Sequence, residues 1–579
     1  PTTRHLPHTM DLLPSDVLLV IFDYFTVRTD LKAICEVSKG YYELALPLLY
    51  REVRLTASVF QLPKLKRSLQ CISAGTSARL RYTRSLILEG TAPPPEPRLE
   101  PTQLLAEDLN EEEHCEYYDE VTRLFLQALE TFPENCLHTF EFISENSISL
   151  AMLQTLNKRQ KCLKRMKFTL DNDWNRNPAN PRPCGEALPI FHGLLALDIY
   201  LKASHPIDSS TYMEQLVEAF LASNPSLERL HVGACISSEE FQDEPIPDNF
   251  ARALSAAARA KPFAFPKLKE FAISNMEFSM GYAKYHHQFI PFEKLQRLSI
   301  FSDGDEDTLT DYLDDVFSDD QLNLTHLKID VQADGNAISL LSSCKSLTSL
   351  QIITNLNDFD SFMIGLRKHG EALRALGIAQ YFTPYFIPHL IPTATVTRIG
   401  EEEFKELCQV CHNLYFLGIE VSDEQVDPTY WVVDCELEQR LKALASIRGL
   451  RLIHFRVNQV TRYGYGDEPK KEHAQTSIEM EDFARRVFEF MDAHGACAQL
   501  RSIVVGSHFY DNEEYCGGQH CYPRHCFVKE YQPDEMGVPK VAAKQVPAYR
   551  IRNMEPDCDL FEFDPLADWV GSLPGRLRF

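Results

Sequence analysis

A chain of 579 residues, 44% of them hydrophobic, can bury a large core but exceeds the size at which one compact core keeps growing, so several domains or a repeat array are expected. Its formal net charge of -25 repels both the phosphate backbone and anionic lipid, and no Lys/Arg stripe interrupts that field, which removes nucleic acid and membranes from the expected partners. The longest apolar runs, such as Val17 to Phe22 between Asp16 and Asp23, fall far short of the ~18 residues needed to cross a bilayer.

In chain order, the opening residues Pro1 to Met10 show no basic region followed by an apolar stretch and a small-residue cleavage site, so nothing in them directs secretion. Leu13 to Phe25 then predicts an amphipathic helix, with Leu13, Val17, Leu18, Ile21, Phe22 and Phe25 at helical spacing and Pro14 in the first turn. Asp30 to Ser38 predicts a second helix, capped by Thr29 or Asp30, with Leu31, Ile34, Cys35 and Val37 as its apolar contacts. Gly40 is expected to separate it from a third, Tyr41 to Leu46. Helices this short cannot bury all their apolar surface against one another, so some of it is left for a partner.

These residues carry a family resemblance. Leu13-Pro14, Val17-Leu18, Ile21-Phe22, Tyr24-Phe25, Asp30-Leu31, Ile34, Val37-Ser38-Lys39 and Tyr42 resemble the F-box in order and over its whole length, and Ala45 to Leu55 resembles the segment that leads many fungal F-box proteins into their substrate domain. Tyr42 departs from the pattern, standing where another aromatic, often Trp, is common. The resemblance implies docking on a Skp-family adaptor, and through it on a cullin, by Leu13, Pro14, Val17, Leu18, Ile21, Phe22, Leu31, Ile34, Val37 and Tyr42.

Beyond about residue 80 one pattern recurs: apolar, two variable, apolar, one variable, apolar. It reads Leu137-x-x-Phe140-x-Phe142, and returns from Leu163, Leu194, Leu227, Leu268, Leu295, Leu324, Leu347, Leu373 and Leu414, with looser copies from Leu450 and Leu500. So many copies identify a leucine-rich repeat, in which alternate residues of a short strand face a core and helical stretches join successive strands. Such stretches are clearest at Tyr117 to Phe132, Tyr212 to Ala222, Phe250 to Ala260, Phe404 to Cys411, Leu437 to Ile447 and Met480 to His494. The expected fold class is α/β: a three-helix F-box module over 11–55, an irregular repeat solenoid with a parallel sheet lining a horseshoe over 56–510, and a C-terminal extension over 511–579. Uneven spacing marks loop insertions at Ala92 to Pro101 with its acidic sequel Glu111 to Glu113, at Asn172 to Pro183, at Tyr381 to Thr397 and at Tyr463 to Gln475.

If the repeat's second and third apolar positions face the core, the residues beside them face the concave side of the horseshoe. They include Arg165, Lys167, Asp198, Tyr200, Arg229, His231, Arg297, Phe301, His326, Lys328, His454 and Arg456, a basic and aromatic selection suited to an acidic or phosphorylated protein segment.

Signatures of enzymes are absent: the sequence has no GxxxxGK[ST] phosphate loop, no HExxH and no GxSxG. Near the C-terminus Cys516, His520, Cys521, His525 and Cys526 crowd one loop-like segment and could offer zinc four ligands, but the spacing matches no paired or finger pattern, and plain thiols and surface histidines are favoured. The acidic run Asp303 to Asp320 lacks the spaced ligand set of a calcium loop and reads as a solvated face. The 16 cysteines are scattered, several inside apolar segments (Cys35, Cys344, Cys408, Cys411), as expected of reduced, buried thiols. The expectation is therefore a cytoplasmic and/or nuclear, non-catalytic ligase receptor without a cofactor, its partner an unidentified protein substrate. A repeat scaffold working outside a cullin complex and an enzyme built around the C-terminal Cys/His segment are the alternatives.

Overall fold

A computed structural model of the chain describes residues 13–25, 28–57, 62–74, 77–90, 111–144, 147–171, 188–203, 215–236, 264–274, 289–301, 322–330, 336–353, 359–379, 399–421, 436–457, 473–494, 499–506, 525–534, 536–546, 550–551 and 554–555. Pro14 precedes α1 (Ser15–Asp23), where its missing N–H costs nothing, and its carbonyl accepts from the Val17 and Leu18 amides at 3.0 Å. α2 (Arg28–Val37) and α3 (Lys39–Leu49) follow, but Gly40 does not separate them as expected. The break is at Ser38, whose extended backbone turns its hydroxyl onto the Tyr41 amide at 3.1 Å, a side-chain cap that starts α3 with Gly40 inside its first turn. Leu18, Phe22 and Ala45 form the core of these three helices, with the Phe22 and Tyr41 rings edge to face at 5.4 Å.

Only Tyr50 and Arg51 separate α3 from β1 (Glu52–Ala57), and Arg51 pairs back to Asp23 of α1 at 2.9 Å. The strand pairs in parallel with β2 (Ser85–Gly90) from Glu52↔Ser85 to Ala57↔Gly90, so a boundary at residue 55 falls inside a paired strand. Between them lie α4 (Leu62–Ala74) and α5 (Ser77–Leu80).

The chain divides into two compact units, the first running essentially to Arg229 and the second onward from Leu230. In the first, β1 and β2 are continued in parallel and in chain order by β3 (Thr139–Ser144), β4 (Arg165–Asp171) and β5 (Ala196–Ala203). Its further helical elements among the described residues include α6 (Glu111–Thr131), α7 (Leu150–Arg159) and a π-helical turn at Val217–Ala222. Glu111 to Glu113, expected on a loop, open α6. β6 (Arg229–Ile236) is divided between the two units.

The second unit repeats the scheme: β7 (Glu270–Ser274), β8 (Arg297–Phe301), β9 (His326–Asp330), β10 (Ser349–Ile353), β11 (Ala375–Ala379), β12 (Phe416–Val421), β13 (Leu452–Val457) and β14 (Ser502–Val505) pair in parallel. Its helices include α8 (Asn336–Ser343), α9 (Phe359–Arg367), α10 (Glu401–Val410), α11 (Glu436–Leu444) and α12 (His473–Ala493). The sheet ends in an antiparallel hairpin, β15 (His525–Pro533) and β16 (Pro539–Val546), where the sequence suggested only a loop-like segment and a cap. The predicted helix Phe250 to Ala260 and the stretches Ala92 to Pro101, Asn172 to Pro183, Asp303 to Asp320 and Tyr381 to Thr397 lie outside the described residues; only the end of Tyr463 to Gln475 is described, as the start of α12.

Each copy of the repeat motif falls on a strand, β3 to β14, and its apolar positions pack on helices: Phe125 of α6 meets Phe142 edge to face at 6.2 Å, and Phe483 of α12 meets Phe455 at 5.3 Å. Tyr50-x-x-Val53-x-Leu55 and Thr83-x-x-Leu86-x-Leu88 extend the motif to β1 and β2, with Tyr and Thr in place of the leading Leu. A further buried slot lies three residues before the leading Leu and is filled by Gln160, Phe191, Asn224, Phe265, Phe292, Cys344, Cys411 and Ile447. Where the slot is polar it binds backbone. Gln160 accepts from the Leu137 amide at 3.1 Å, Asn224 from the Leu194 amide at 2.8 Å, and His369, one residue before the equivalent Gly370, accepts from the Leu347 amide at 3.2 Å. These three copies are thus each tied to the preceding copy's leading Leu by a hydrogen bond, beside burial of leucines that contributes roughly 1.5 to 3 kcal/mol apiece.

Candidate functional site

Two surfaces carry groups that the fold itself does not use up. The first is on the N-terminal helices. Of the residues expected to dock, Leu18, Phe22 and Leu31 are buried, Ile21, Ile34 and Tyr42 are half-buried, and Leu13, Pro14, Val17 and Val37 are exposed. Leu13, Val17, Val20 and Tyr24 recur at helical intervals along α1 and its two flanks, on the side away from Phe22, with 36%, 42%, 60% and 82% of their surface exposed. Phe25 and Val37 add to this apolar surface. A helix that is apolar on its solvent side as well as its core side marks an interaction surface. Val20 and Tyr24 were not among the expected docking residues; their signal was that both sides of Leu13 to Phe25 are apolar.

The second surface is the sheet face opposite the repeat's apolar positions. In the first unit it is a ladder of opposite charges. Arg54 on β1 reaches the fully buried Glu89 of β2 at 2.6 Å, and Thr56 donates to the same carboxylate at 2.9 Å. Burial pushes the Glu89 carboxyl above its usual range despite Arg54, and Glu141 on β3 is raised for the same reason. Next, Lys167 of β4 lies over the Tyr200 ring at 5.8 Å, and Asp198 of β5 is held by the Arg229 guanidinium through two hydrogen bonds. Arg165 is exposed and, among the described residues, has no ion-pair partner. In the second unit His231 meets Glu270 at 2.9 Å, and Glu270, Arg297 and His326 lie side by side on β7, β8 and β9.

Two expectations about this face are corrected. Asp198, Tyr200, Lys328 and His454 are buried, not surface residues, and the charge is not basic but interleaved, because Glu89, Glu141, Asp198 and Glu270 stand beside the cations. The residues selected from the sequence included Asp198 but not Glu89, Glu141 or Glu270. Toward the end of the second unit the same face is apolar: Ala375, Phe416, Leu452, Val504, Cys526, Val528 and Val546 form a buried cluster with Ile551. His454 is enclosed beside it, its Nε2 3.0 Å from the Gly506 carbonyl, which can only accept, so that nitrogen carries the proton. The side chains of Phe301 and Arg456 lie outside the described residues.

Among the five C-terminal metal candidates, Cys516, His520 and Cys521 lie outside the described residues. His525 and Cys526 are neighbours on β15, and successive strand residues point to opposite faces, so the two cannot share one ion. Cys526 belongs to the apolar cluster, and the His525 Nδ1 lies 3.3 Å from the Gln545 amide. No group of three or more potential ligands gathers among the described residues. Cys344, Cys408 and Cys411 are buried, with thiols pushed up to about 12 by burial, which keeps them protonated and unreactive at neutral pH. No helix among the described residues is long and apolar enough to cross a membrane. No known family model matches the chain, and no curated protein does.

Proposed function

We propose that this chain is the substrate-recognition subunit of a Skp/cullin/F-box ubiquitin ligase, with α1 to α3 docking on the adaptor and the strand-and-helix repeat binding a protein substrate. The observation that carries the reading is the apolar stripe Leu13, Val17, Val20 and Tyr24, which three short helices leave facing solvent at the end of the chain whose residues resemble the F-box in order. Sheet edges and helices of a repeat array give the second half of the reading its support, since such arrays offer an extended binding face and no catalytic constellation is needed on a receptor. Catalysis resides in other subunits. The partner is a protein, and the cytoplasm or nucleus is where the ligase works.

Affinity capture from the native cell tests this, comparing the full chain with one lacking residues 13–49. Cullin and a Skp-family adaptor are expected with the full chain alone, and proteins retained by both chains are the substrate candidates. Capture of neither adaptor nor cullin by the full chain sinks the ligase reading and leaves a binding scaffold.

A further inference from the structure

The apolar end of the second unit's second face is covered by a part of the chain that is not a strand. Phe416, Leu452 and Val504 stand at variable positions of their motif copies, where a side chain points away from the repeat's core, yet all three are fully buried. Phe416 and Leu452 are register partners, and Val504 is followed across the hairpin by Cys526 and Val546. Among the described residues, Ile551 is the one buried member of this cluster that comes from outside the sheet. The Glu555 amide donates to the Ile551 carbonyl at 2.9 Å, which closes a helical turn and sets the two side chains on one side of it. Glu555 is 4% exposed and its carboxylate lies 3.8 Å from the half-exposed guanidinium of Arg451, whereas Arg550 and Met554 face solvent. An aliphatic side chain and an acid one turn apart, laid on an apolar patch with a cation at its rim, are the contacts of a short helical ligand.

We propose that residues 550–555 are an internal ligand of this face. They occupy its apolar end in the free protein and give way to a partner segment of the same chemistry, an aliphatic residue followed four positions later by a carboxylate on a helical turn. The proposal rests on the receptor reading above and names what that end of the face recognises. Among the described residues, two inward side chains of a single turn make the contact, which is little for a permanent join. Such a contact holds chiefly because the tether keeps the segment at an effective concentration on the order of millimolar. A partner that binds elsewhere on the face as well gains the same advantage and displaces it.

The test places a protease site between Val546 and Arg550 of the full chain, cuts it after folding, and follows the anisotropy of a labelled peptide of residues 548–557. At protein concentrations on the order of micromolar the cut fragment is expected to leave on gel filtration, and the peptide then to bind the cut chain saturably at roughly 10 to 100 micromolar. The uncut chain should bind the peptide roughly tenfold more weakly or less still, about 1.4 kcal/mol, because its own segment competes. Ile551→Asp in the uncut chain should open the seat to the native peptide, and a peptide carrying the same change should bind no form of the chain. Should that variant not fold, the cut chain decides. A fragment that stays with the cut chain, a cut chain that ignores the peptide, or equal binding by cut and uncut chains overturns the proposal, as does an Ile551→Asp peptide that binds as well as the native one. Failure of adaptor capture alongside intact peptide exchange would remove the ligase reading and leave this seat standing; the reverse pattern would remove the seat alone.

Discussion

Arg54 and Glu89 show how much one pair on the ladder carries. Glu89 is fully buried while Arg54 is about one-third exposed, so the carboxylate depends on a counter-charge that water partly screens. Arg54→Met leaves that carboxylate with Thr56 alone and should destabilise the first unit by about 1 to 3 kcal/mol near neutral pH, less than for a wholly buried pair. The pH dependence has a definite sign. Since burial holds the Glu89 carboxyl above its ordinary value, the folded protein binds a proton that the unfolded chain releases across the window between the two values, and this group's contribution improves as pH falls through the raised one. Urea unfolding should therefore show the Arg54→Met deficit narrowing as pH falls from neutral through the raised value; a deficit that is flat or widens contradicts this account. Thiol chemistry gives a second residue-scale outcome. Brief alkylation of the folded chain, read by mass spectrometry, should modify the exposed Cys71 and Cys162 and spare Cys344, Cys408 and Cys411. The sequence made the latter three legible as buried because each sits in an apolar segment. It did not show that Cys344 and Cys411 share one structural slot, since the other occupants are as different as Phe, Asn and Gln.

At the scale of single elements, periodicity found the strands well and their polar environment poorly. Every motif copy marks a strand because alternation is a direct imprint of one buried face. The antiparallel hairpin was missed because Cys516 to Cys526 drew attention to ligand chemistry, while the strand at His525 alternates too briefly to stand out. Gly40 misled for a physical reason: a side-chain cap at Ser38 decides where α3 begins, and it outweighs the weak helix preference of a glycine in the first turn. Gly370 tests the shared slot. A Cβ there would lie 2.6 Å from the Val410 carbonyl oxygen at the end of α10, a contact that only backbone movement can relieve. Gly370→Ala is expected to cost about 1 to 3 kcal/mol, as overpacking does, whereas Gly537→Ala meets no atom within 4 Å and suffers only from its left-handed backbone. Equal thermal midpoints for Gly370→Ala and the wild type would contradict the close approach.

Across the whole chain, the sequence made the order of parts legible and left the recognition chemistry hidden. Composition and the motif count pointed to a repeating α/β architecture, and both units have it. The charge of the second face was not legible, because it is set by which residues of neighbouring strands fall in register, and a chain read one strand at a time does not show that Glu89 stands beside Arg54 or Asp198 beside Arg229. The join after α3 was legible: it lacks Gly and Ser, and its two residues between helix and strand leave no length for a tether. Limited proteolysis should accordingly not cut first between Leu44 and Leu55. The central claim, that α1 presents a docking face for an adaptor, is tested most directly by the affinity of a purified Skp-family adaptor for the full chain and for its Leu13→Ala/Pro14→Ala double variant. With each buried apolar side chain contributing roughly 1.5 to 3 kcal/mol, binding by the variant should be weaker by about two powers of ten or more while its thermal midpoint stays near that of the wild type. Unchanged affinity in a folded double variant, or no adaptor binding by the wild type, would contradict it.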